Sequence, residues 1–124
     1  MSTKKFLFIT FMTLVFYNLL RFVGLNNFSQ TNWWKEMNSD NWHHWQLGLL
    51  LIFIALIFLR KKQFLKNLLL AIGSGMVIDE IMYAFYPFNS SFSHYSSLGI
   101  FFEFLVFIVF SLIVLRVRRK NQKI

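Results

Sequence analysis

Four long apolar blocks, at about 6–25, 41–59, 64–86 and 98–117, restrict what this chain can fold into more than any other feature. Each has the length that one α-helix needs to cross a bilayer. The second holds 19 residues, which reach ~28 Å at ~1.5 Å per residue. The sequence therefore predicts an all-α fold, an integral membrane four-helix up-down bundle, with residues 1–124 as a single transmembrane domain. A water-soluble reading fails on composition. Hydrophobic residues make up 56% and charged residues 15%, and 17 Phe would overfill any aqueous core that 124 residues can build. The absence of Cys excludes a disulfide framework, a thiolate nucleophile and a Cys-based zinc site.

The net charge of +8 raises nucleic acid as a partner, and its distribution argues against one. Lys4 and Lys5 precede the first block. Arg60, Lys61, Lys62 and Lys66 join the second to the third, and Arg116, Arg118, Arg119, Lys120 and Lys123 follow the fourth. Alternate connections thus hold 11 of the 13 basic residues, the asymmetry that orients membrane proteins. The expected partner is the lipid bilayer, with no nucleic acid, and the expected location is the cell membrane, multi-pass, with N- and C-termini cytoplasmic. No small-residue cleavage site follows the first block, so it reads as an uncleaved helix. Ser39 or Asp40 is placed to cap the second helix, and Pro87 to end the third.

Three of the five acidic residues, Asp79, Glu80 and Glu103, fall inside apolar blocks, where a carboxylate must be neutralised, paired or hydrated. With the termini inside, Asp79 and Glu80 lie ~10 Å and Glu103 ~8 Å below the outer surface. His43 and His44 open the second helix and His94 lies in an outer loop, so all three His share that half. Asn18 and Arg21, three apart on the first helix, join them, while the inner half is almost purely apolar.

Imidazoles with carboxylates form a normal ligand set for a divalent metal such as Zn, Fe or Mn, and they equally serve as acid–base groups. The candidate ligands are His43, His44, Asp79, Glu80, Glu103 and His94. Asp79, Glu80 and Glu103 are the candidate acid–base groups, with Arg21, Asn18 and Tyr83 in support. Glu103 paired with Arg21 would explain both charges structurally. Ala71, Gly75 and Asp79 recur every four residues, Gly48 follows His44 by four, and Gly99 precedes Glu103 by four. Small residues at such spacing let membrane helices approach closely.

His43-His44-Trp45-Gln46-Leu47-Gly48 and, one helix later, Gly73-Ser74-Gly75-Met76-Val77-Ile78-Asp79-Glu80 resemble a pattern in small prokaryotic integral membrane proteins of unknown function. Those proteins also start a helix with His-His-x-x-x-Gly and carry Gly-x-Gly-x-x-x-Asp-Glu. The resemblance covers two helices and implies a site there without naming its chemistry. The residues lead to an outward-facing intramembrane His/carboxylate site that binds a divalent metal or acts on a lipid-like substrate. Whether it is an enzyme stays open. The alternatives are a proton or cation transport component, or a non-catalytic membrane assembly subunit, with completion by a second copy or a partner subunit also open.

Overall fold

The computed structural model describes residues 1–28, 44–81 and 97–122. Among these, regular structure is entirely helical: α1 Thr3–Phe28, α2 His44–Ile57, α3 Gln63–Asp79 and α4 Ser97–Gln122. α4 continues to Gln122 rather than about 117, because Arg and Lys sustain a helix and Arg119 and Lys120 face the negative end of its dipole. The expected Ser39 or Asp40 cap and Pro87 stop lie outside the described residues.

α3 departs from expectation at its end. A helix over about 64–86 was expected; α3 ends at Asp79, helix is described again at Ile81, and the rest of that span lies outside the described residues. Glu80 follows as its cap with φ −114° and ψ 13°, its N–H donating to the Ile78 carbonyl. No Gly or Pro stands at this point. The two acids straddle the break, and their partners on other helices supply the cause.

Close contacts set the helix directions. Gly75 of α3 meets Thr10 and Thr13 of α1, and Asp79 meets Asn18 and Arg21, so α1 and α3 run parallel. Gly73 meets Gly48 and Ile52 of α2, while Glu80 meets Trp45, so α2 runs against α3. Phe6 packs on Phe110, and Phe11 on Phe104 and Phe107, so α4 runs against α1. Directions therefore alternate as in an up-down bundle, but α3 is the central helix, lying tightly between α2 and α1. Among the described residues α1 packs chiefly on α3, because Gly73 and Gly75, two residues apart, face opposite sides of one helix.

This arrangement collects the described basic residues other than Arg21 at one end. Arg118 donates to the Met1 carbonyl at 3.2 Å and the Thr3 hydroxyl at 3.4 Å, and covers the Phe6 ring at 5.1 Å. The turn at 58–62 and the start of α3 share that end. Asp79, Glu80 and Glu103 are buried at the other end.

The interior combines a few apolar residues, Leu14, Ala71, Met76 and Ile78 among them, with buried Thr10, Asp79, Glu80 and Glu103. The outside carries large apolar side chains, with Phe8, Phe22, Phe58, Phe64, Phe101 and Leu112 all more than 60% exposed. Apolar outside and charged inside is the inverse of a water-soluble bundle. Two stretches, Thr3–Val23 in α1 and Gly99–Lys120 in α4, are long and apolar enough to cross a membrane, and α2 is a shorter apolar helix.

Candidate functional site

The polar end is built around two side chains of α1. Asn18 and Arg21 are three residues apart, so both project from the same face, toward α3 and α4. Arg21 Nη2 lies 2.7 Å from Asp79 Oδ2, and Arg21 Nη1 lies 3.3 Å from Glu103 Oε1. One guanidinium thus bridges carboxylates from two helices, a geometry that its planar fork suits. Asn18 Nδ2 repeats the bridge, donating to Asp79 Oδ1 at 3.3 Å, to Glu103 Oε2 at 3.0 Å and to the Leu14 carbonyl at 3.0 Å. Both carboxylates are fully buried, and the Arg21 side chain is 11% exposed. Asp79 Oδ2, despite its short contact with Arg21, receives no hydrogen bond of good alignment.

Glu80 faces the other way. Its Oε2 accepts the backbone N–H of Trp45 at 3.0 Å, and its Oε1 lies 3.3 Å from His44 Nδ1. Trp45 sits in the first turn of α2, whose N–H groups have no partner within the helix and whose dipole favours negative charge. Glu80 therefore caps α2 from a different helix. Leaving helical geometry at residue 80 lets Asp79 reach α1 while Glu80 reaches α2. The imidazole of His44 also rests on the ring of Tyr17, with centroids 4.6 Å apart and planes at 48°.

The two halves meet at Asp79. One ligand atom from each of His44, Asp79 and Glu80 lies within 4.8 Å of the others. Around a divalent ion at ~2.0–2.2 Å from each ligand, neighbouring ligand atoms stand roughly 3–3.5 Å apart. Small side-chain rotations would close this set, and the half-exposed His44 can make them. Imidazole nitrogen with carboxylate oxygen is a donor set for zinc, iron or manganese. The same three groups can hold and pass a proton.

The structure thus brings together six residues expected at the site: Asn18, Arg21, His44, Asp79, Glu80 and Glu103. It engages Glu103 with Arg21 and Asn18, the structural pairing that its depth suggested. His43, His94 and Tyr83 lie outside the described residues. Two contributors were not foreseen: the Trp45 N–H and the Tyr17 ring. Tyr17 stands four residues before Arg21 and so shares its face, a signal present in the sequence. The Trp45 N–H leaves none, because any first-turn amide can play its part. No protein-family model, curated protein or solved structure matches the chain.

Proposed function

We propose that this chain is a four-span membrane protein with both termini cytoplasmic, whose outward polar end binds a divalent cation through His44, Asp79 and Glu80. The observation that carries the cation site is the convergence of those three ligand atoms, from two helices, within 4.8 Å. The apolar exterior supports the membrane setting, and the gathering of basic residues at the opposite end supports the orientation.

Charge supports a cation. Among the described residues of the cluster, three carboxylates stand against one guanidinium that is always charged. A divalent ion with neutral His44 balances them, whereas a dry site without it must take up protons or hold excess negative charge at high cost. A resident ion fits better than a conducting path. Toward the basic end, the hydroxyls of Thr10, Thr13 and Ser111 each donate to the carbonyl four residues earlier. Leu14, Met76 and Ile78 fill the space between.

The test is titration of the detergent-purified, chelator-stripped protein with Zn²⁺ and with Mn²⁺, beside His44→Ala and Asp79→Asn. The expected result is one tight ion per chain, lost in both variants, since an amide is a poor ligand and Ala none. A wild-type chain that binds neither ion, or folded variants that bind as the wild type does, would overturn the reading.

A further inference from the structure

Asp79 belongs to two constellations at once, and this sharing has a consequence. We propose that Arg21 is an internal counter-cation that competes with the bound divalent ion for Asp79, and so sets the affinity of the His44–Asp79–Glu80 site. The proposal rests on the cation-site reading and specifies how that site is tuned.

Geometry supplies the competition. Arg21 holds Asp79 Oδ2 at 2.7 Å, while Asp79 also offers a ligand atom within 4.8 Å of those of His44 and Glu80. A divalent ion on Asp79 and a guanidinium on the same carboxylate repel each other in a medium that screens poorly. Arg21 need not leave the interior to yield. Its other nitrogen already lies 3.3 Å from Glu103 Oε1, and Glu103 is steadied by Asn18 at 3.0 Å. Glu103 is therefore the second anchor, able to retain the guanidinium when Asp79 turns toward the ion. A guanidinium wedded to Asp79 alone would close the site, and one drawn wholly to Glu103 would open it.

Two substitutions with opposite expected signs test the role. Arg21→Gln keeps a hydrogen-bonding side chain and removes the competing charge, so Mn²⁺ should bind at least about tenfold more tightly. Glu103→Gln removes the second anchor and leaves the guanidinium on Asp79, so Mn²⁺ should bind at least about tenfold more weakly. Free Mn²⁺ is counted by its electron paramagnetic resonance signal, with circular dichroism and size-exclusion chromatography confirming the fold. Tightening is the decisive readout, because structural damage at a site weakens binding and does not strengthen it. Should Arg21→Gln fail to fold, Arg21→Lys keeps the charge but cannot bridge two carboxylates with a planar fork. Arg21→Gln combined with Glu103→Gln then decides the matter, and should bind Mn²⁺ more tightly than Glu103→Gln alone. Unchanged binding in folded Glu103→Gln, or unchanged or weaker binding in folded Arg21→Gln, overturns the role of Arg21 and leaves the cation site standing. A wild-type chain that binds no Mn²⁺ overturns both.

Discussion

A single methyl group added where α2 crosses α3 should damage the fold and the site together. A Cβ at Gly48 would stand 2.7 Å from the Gly73 carbonyl oxygen and 3.0 Å from Met76 Cβ and Val77 Cγ2. A Cβ at Gly73 would stand 2.7 Å from the Gly48 carbonyl oxygen and 2.9 Å from Ile52 Cγ1. Ordinary contact begins at 3.4 Å, so each methyl asks for 3.4 − 2.7 = 0.7 Å of separation against backbone. Overpacking of this kind costs about 1–3 kcal/mol, and the Gly-to-Ala gain in helix propensity returns about 0.5–1. Gly48→Ala should therefore lose up to ~2.5 kcal/mol of stability. Both methyls demand the same separation, so Gly48→Ala with Gly73→Ala should cost clearly less than the two singles added. Gly75→Ala, which meets Thr13 and Thr10 across the other seam, should add to Gly48→Ala without such relief. Three residues before Gly48, the Trp45 N–H to Glu80 bond is 3.0 Å long. A displacement of the same size carried that far would take it beyond hydrogen-bond range, so cation binding should weaken too. Equilibrium unfolding in mixed detergent micelles measures all five variants against the wild type. A stabilised Gly48→Ala, or additivity at the Gly48–Gly73 pair, would refute the close crossing.

Two further outcomes are expected. Reporter fusions after Lys62 and after Lys120 should read cytoplasmic and one near Ser91 external; an external signal at Lys62 would reverse the orientation. Glu80→Gln keeps an acceptor for the Trp45 N–H and should cost little stability while losing the cation, whereas Glu80→Ala also removes the cap and should cost about 1 kcal/mol more. Equal stability of these two variants would refute the capping role of Glu80.

The helical class and the separation of charge were legible because both follow from the order of residues along the chain. Apolar blocks of spanning length fix the class, and basic residues in alternate connections fix which ends meet. Depth alone put Arg21 level with Glu103, and the face carrying Ala71, Gly75 and Asp79 proved to be a buried one, with the last two against α1. Three features were not legible. α3 ends at Asp79 with no breaker residue, because the demand for two carboxylates to face different helices is tertiary. α1 lies beside α3 because Gly73 and Gly75 serve opposite faces, a meaning that appears only when both neighbours are known. The sharing of Arg21 between Asp79 and Glu103 depends on a guanidinium fork whose direction the spacing of residues leaves free.

The seams between helices divide the polar end into a fixed part and a yielding one. His44, Asp79 and Glu80 all stand on α2 or α3 or at the break that ends α3, and those helices touch backbone to backbone at Gly48 and Gly73. Such a crossing leaves no slack, since neither partner has a side chain to rearrange. Glu103 stands on α4, which meets α1 at a wider spacing through tilted Phe rings 5.5–6.4 Å apart. Tilted rings at that spacing can rearrange as side chains, which a glycine crossing cannot do. The ligand atoms are thus carried on the rigid pair, and the anchor of Arg21 on the helix with freedom to shift. On the proposed role of Arg21, a movement of α4 would act first on Glu103, then on Arg21, and through Arg21 on Asp79. The proposed cation site would in this way be coupled to α4, whose apolar stretch is more exposed than that of α1.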